Sequence, residues 1–98
     1  MRSLTVAAIL SSIVVLPAAA SSDDAWETFR TEVATACLAT AEPLFEAPVV
    51  RVDPFGSGSY GLALVEGRAK GAEADIASIC VYDKATKAVE IGGELPAE

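Results

Sequence analysis

The chain has 98 residues, 7 Lys+Arg against 14 Asp+Glu, no histidine and a formal charge of −7. This acidic balance excludes binding to nucleic acid through its phosphates and disfavours anionic membrane surfaces. The missing histidine removes the commonest general base and a principal zinc ligand.

Met1-Arg2 gives a positively charged start, residues 4–16 run apolar apart from Thr5, Ser11 and Ser12, and the stretch ends on Pro17-Ala18-Ala19-Ala20. A charged start, a short apolar run and a small-residue end predict a secretory signal peptide at residues 1–20. The run is too short before its proline to cross a bilayer, which takes about 20 apolar residues. Cleavage after Ala20 leaves residues 21–98 as a single small exported domain, periplasmic or secreted. It has no membrane span, and losing Arg2 takes its net charge to −8. No cysteine stands at the cleavage point, so no lipid anchor is expected.

The exported part holds two cysteines, Cys37 and Cys80. An even pair in an exported small domain predicts a disulfide. Closing that loop of roughly 44 residues stabilises by about 4 kcal/mol in the chain-entropy model. A domain of this size gains little from its core alone, so the staple matters. The pair lacks C-x-x-C spacing and a histidine to activate a thiolate, so redox chemistry is not expected.

Ser22-Asp23-Asp24 opens a helix, with Asp24 and Glu27 spaced as a capping box. Trp26, Phe29, Val33 and Cys37 then recur at helical spacing and form one buried stripe over residues 24–41. Pro43 ends it. From Pro48 the period changes toward 2. Residues 49–53 read as a strand, and Asp53-Pro54 with Gly56-Ser57-Gly58 as a turn. Residues 60–66 form a strand with Tyr60, Leu62 and Leu64 on one side. Residues 67–74 are a connection, 75–83 a strand, 83–87 a hairpin loop and 88–92 a last short strand. Short links favour an antiparallel meander. The predicted fold is α+β: one N-terminal helix packed on a small four-stranded antiparallel meander, stapled by one disulfide.

If Cys80 reaches Cys37, then Ile76, Ser78 and Tyr82 also face the helix. The opposite face then carries Ala77, Ile79 and Val81, and Ala63 and Val65 of the neighbouring strand are read as joining it. Antiparallel sheets commonly keep one polar, solvated face. A second apolar face predicts contact with another protein, self-association, or a sheet curled over itself.

The loop Phe55-Gly56-Ser57-Gly58-Ser59-Tyr60-Gly61 fits G-x-G-x-x-G, and Asp83 follows about 20 residues on as a ribose-binding acid would. That motif requires a helix after its third glycine, and the segment reads as a strand. Ser57 and Ser59 are exposed hydroxyls with no base to take a proton. The acids are scattered, and no D-x-D-x-D-G calcium loop occurs. No cofactor, metal or catalytic residue is therefore expected. The loop can also be plain turn chemistry, with Gly56 and Gly58 permitting positive φ and the serines bonding locally.

Ser57-Gly58-Ser59-Tyr60 also matches S-G-x-Y, and so resembles the loop motif of bacterial periplasmic and membrane-bound lysozyme inhibitors. The resemblance covers these four residues between two strands. It implies that Ser57 enters a lysozyme's active-site cleft and that Tyr60 supports the loop or makes contact. Arg68 and Lys70 are the candidates for a second, basic contact residue. Members of that family are essentially all-β. The hairpin Tyr82-Asp83-Lys84-Ala85-Thr86 behind a helix and a meander is similar to small exported PepSY-like domains.

These readings lead to a small exported, non-catalytic protein-binding or accessory domain. Its partner is another protein, basic in charge or a further copy of the chain. The alternative is a lysozyme-type hydrolase inhibitor presenting the Ser57–Tyr60 loop.

Overall fold

The computed structural model describes residues 22–97. The signal peptide read at residues 1–20 lies outside these described residues. One helix, α1 (Asp23–Ala41), precedes five strands: β1 (Phe45–Val52), β2 (Tyr60–Ala69), β3 (Asp75–Asp83), β4 (Val89–Ile91) and β5 (Leu95–Pro96). The sheet runs β1-β2-β3-β4, every pair antiparallel, and β5 pairs with β3 beyond the end of β4. The fold is the α+β arrangement of one helix on a four-stranded meander, with the two-residue β5 as an addition.

Ser22 caps α1, its hydroxyl accepting a 3.1 Å bond from the Ala25 amide. This places the cap two residues before the expected Asp24–Glu27 box, and Asp23 and Asp24 instead fall in the first turn. There their charge suits the positive end of the helix dipole. The helix ends at Ala41 as Pro43 requires, and the Leu44 amide closes the turn on the Ala41 carbonyl. Two strands are longer than their periodicity suggested. β1 starts at Phe45, and β2 runs through Gly67 to Ala69, because Phe45 pairs with Ala69 and Glu46 with Arg68.

The core gathers Val33, Cys37 and Ala41 from α1 against Phe45, Ala63, Val65, Cys80 and Tyr82. Cys37 and Cys80 form the expected disulfide, with Cα atoms 6.0 Å apart, fixing the middle of the helix to the centre of β3. Val33 and both cysteines are fully buried. Gly61 lets this contact happen: a Cβ there would stand 2.6 Å from Val33 Cγ2 and 3.1 Å from Phe29 Cζ. Tyr82 closes the layer, its hydroxyl donating a 3.1 Å bond to Glu32 Oε1. Burial, and then the bond to Glu32, raise the Tyr82 phenol above its ordinary pKa.

The assignment of Ala63 and Val65 to the outer face is wrong. Ala63 pairs with Cys80 and Val65 with Ser78. Residues opposite one another in antiparallel strands share a face. Both side chains therefore point at α1 and are buried. The outer face of β2 belongs to Leu62 and Leu64, which pair with Val81 and Ile79.

Candidate functional site

The segment between β1 and β2 is a turn closed by its own hydrogen bonds. The Asp53 carboxylate accepts bonds from the Phe55 and Gly56 amides at 3.1 and 3.0 Å. Those bonds, Gly56 first, hold its pKa below the usual carboxylate range. Gly56 has φ +71°, and a Cβ there would land on the Tyr60 carbonyl oxygen. The Ser57 amide donates to that same carbonyl at 2.8 Å, and the Ser57 hydroxyl accepts from the Tyr60 amide at 3.1 Å. Ser57 thus spends its hydroxyl on closing its own turn. A Cβ at Gly58 would meet nothing within 4 Å, and both Gly58 and Ser59 are exposed.

A cation braces this turn. Lys84, at the start of the β3–β4 hairpin, donates from Nζ to the Phe55 carbonyl at 3.2 Å and to the Ser57 carbonyl at 2.7 Å. The same ammonium lies 5.5 Å from the Trp26 ring centroid and 5.0 Å from that of Phe29. Trp26 meets Phe55 edge-on at 4.9 Å, and Arg30 donates to the Pro54 carbonyl at 3.1 Å. The hairpin is itself fixed by the Asp83 carboxylate, which accepts from the Thr86 and Ala85 amides and is held at lowered pKa by them. Helix start, turn and hairpin form one braced end of the domain.

Sequence reasoning missed Lys84 because it is 27 residues from Ser57, and only the β2–β3 register brings the two together. Arg68 does not serve as a basic companion to the loop. It lies eight residues along β2 from Tyr60, about 27 Å at strand rise, and pairs with Glu46 at 3.7 Å. Lys70 lies beyond the same far end of β2.

Tyr60 joins the two candidate regions of the sequence. Gly61 faces α1, so Tyr60 and Leu62 on either side of it face outward. Tyr60, Leu62 and Leu64 then stand in file on the outer sheet face, beside Val81 and Ile79 of β3. Ile79 is 48 % exposed, Tyr60 43 %, and Val49 and Leu95 at the margins 59 % and 47 %. Ala77 shares this face but is buried between larger neighbours. Arg51 and Glu66 pair at 3.5 Å beside the apolar centre, Asp53 borders Leu62, and Glu90 lies opposite Val81. The helix covers one side of the sheet, and among the described residues nothing covers the other.

No protein-family model, curated protein or solved structure matches the chain. Among the described residues no group of three or more Cys, Asp or Glu converges to hold a metal ion. Nor is any helix there long and apolar enough to cross a membrane.

Proposed function

We propose that this chain is a small exported, non-catalytic protein-binding domain that makes its contact through the outer face of its sheet. The observation that carries this reading is the apolar cluster of half-buried Leu62, Leu64 and Val81 around exposed Ile79, with exposed Tyr60 at one end, on a face that in an antiparallel sheet is usually polar. Export is supported by the apolar N-terminal stretch and by the buried Cys37–Cys80 disulfide, which suits an oxidising compartment. A basic protein fits its acidic charge, and a further copy of the chain fits its apolar face. Binding of an apolar dye to the disulfide-intact domain tests the reading, with affinity capture from a periplasmic extract alongside. Dye binding that Ile79→Asp removes is expected. No dye binding and no captured protein would refute the proposal.

A second reading is inhibition of a lysozyme-type hydrolase by the Ser57–Tyr60 loop. Its support is the bracing of that loop by Asp53 and Lys84, which presents Phe55 and Tyr60 at little ordering cost. Cell-wall lysis assays with c-, g- and i-type lysozymes test it. Unchanged rates with all three would remove it.

A further inference from the structure

The register of the sheet specifies which partner its outer face fits. Across the strands this face is ordered in rows. Val49, Glu66, Ala77 and Leu95 form one, Arg51, Leu64 and Ile79 the next. Leu62, Val81 and Glu90 form the third, with Asp53 at its β1 end through the Asp53 amide bond to the Leu62 carbonyl. Tyr60 and Asp83 form the fourth. The four large apolar side chains occupy the two middle rows, so the apolar patch is centred between them.

The edges of the sheet are poor contact sites. β1 carries a register shift between Glu46 and Val49, with Ala47 at φ 49° and Pro48 beside it, and β4 is only three residues long. Bulges, proline and short edge strands are how sheets avoid edge-to-edge pairing. A partner that uses the sheet therefore sits on its face rather than along its edges.

Two sheets stack face to face with their strands aligned within about 30°. A two-fold axis running across the strands, between the two middle rows, superposes each middle row on the other. Leu64 then meets Leu62 of the second copy, and Ile79 meets Val81. At the β1 edge Arg51 meets Asp53, twice. The outer rows exchange as well, placing the Tyr60 hydroxyl against Glu66. The alternative axis, parallel to the strands, sets β1 over β4 and brings Asp53 against Glu90, a like-charge contact. Both axes set the large apolar side chains against one another, but only the first also pairs opposite charges, as a self-complementary isologous contact favours.

From this complementarity we infer that the face is covered by a second copy of the chain, in a two-fold dimer with Leu62 against Leu64 and Arg51 against Asp53. The inference rests on the protein-binding reading of that face. Four strands about 4.8 Å apart and four rows about 6.8 Å apart cover roughly 500 Å² per copy. That is the small end of specific interfaces, and the like net charges of the two chains oppose association. The dimer is accordingly expected to be weak and reversible.

The test is sedimentation of the disulfide-intact domain from about 5 to 500 µM, with isotope-filtered NMR on a mixed labelled and unlabelled sample. The expected result is a concentration-dependent dimer with intermolecular contacts from Leu62 to Leu64 and from Ile79 to Val81. Leu64→Glu should be a folded monomer. Arg51→Glu should weaken association about tenfold, since it turns two attractive contacts repulsive. Thr31→Glu, at an exposed position of the helix, adds the same charge away from this face and should leave association unchanged. A monomer at every concentration that still binds apolar dye would overturn the dimer and leave the protein-binding reading standing. A monomer that binds no dye and captures no protein would overturn both. A dimer indifferent to Leu64→Glu, or one with Leu64 against Ile79, would overturn the arrangement inferred.

Discussion

The Lys84 ammonium donates a 2.7 Å bond to the Ser57 carbonyl while resting against the faces of Trp26 and Phe29. One side chain thereby ties the β1–β2 turn to both the hairpin and the start of the helix. Lys84→Met keeps the aliphatic stem but removes both carbonyl bonds and the cation from the rings. The expected cost is about 1–2 kcal/mol, since hydrogen bonds to charged groups are the stronger ones and this one is partly screened. Amide exchange should quicken more at residues 55–59 than at β3, where only the loss of global stability is felt. Equal exchange in the turn of both proteins would show that Lys84 does not brace it.

Gly56 and Gly58 are two residues apart, yet a methyl group should matter at only one of them. Gly56 has positive φ, and its Cβ would strike the Tyr60 carbonyl, whereas nothing lies within 4 Å of a Cβ at Gly58. Gly56→Ala should cost more than about 1 kcal/mol, because Ala is strained at that φ and the carbonyl belongs to backbone. Gly58→Ala should stay within about 0.5 kcal/mol of the parent. Denaturant melts of the two variants decide it, and similar midpoints would contradict the turn geometry.

The elements of this fold were legible in the sequence wherever a single chemical signal decided them. Pro43 marked the end of α1, the stripe to Cys37 marked its buried side, and compartment plus parity marked the disulfide. The outer face was only half legible. Ile79 and Val81 were placed on it by alternation from Cys80, but alternation within β2 could not say which side of the sheet Leu62 and Ala63 take. Both are apolar, so composition did not discriminate. The register settles it, and register is a property of two strands together. Gly61 held the missing signal: a glycine between Tyr60 and Leu62 marks the point where the helix comes close. The Lys84 brace was invisible for the same reason, since it depends on which loops the pairing of β2 and β3 brings to one end.

The corrected faces carry an energetic consequence. Val65 is fully buried under α1, whereas Ile79 is 48 % exposed. Val65→Ala should cost about 2–3 kcal/mol through lost burial and the cavity left behind. Ile79→Ala removes more atoms but should cost about 1 kcal/mol or less at low protein concentration, since half of that surface is already in water. Unfolding free energies from urea titrations check the order. The reverse order would place Val65 outside.

The disulfide should carry a large share of the stability. Cys37 and Cys80 are 43 residues apart, and both are fully buried where the helix crosses the sheet. The double variant Cys37→Ala, Cys80→Ala should lose about 2–4 kcal/mol, mainly because its unfolded chain is freer. The parent should gain the mass of two hydrogens on reduction. If the double variant melts with the parent, the staple contributes nothing and α1 is held by packing alone.

Tyr82 gives the domain an alkaline limit. Its pKa is raised, first by burial and then by the hydrogen bond to Glu32, so folding favours the neutral phenol. For a group whose pKa rises on folding, the stabilisation is fully present below the unfolded value of about 10 and is lost as pH climbs through the folded value. Tyr82→Phe keeps the ring against Phe29 and loses the bond to Glu32, at a cost near 1 kcal/mol at neutral pH. The variant has no phenol at this position to ionise. Its stability should therefore fall less steeply than the parent's above about pH 10, and the gap between the two should close as pH rises. Unfolding free energies of both proteins measured across that range test the sign: parallel curves would mean that the Tyr82 hydroxyl titrates alike in the folded and unfolded chains.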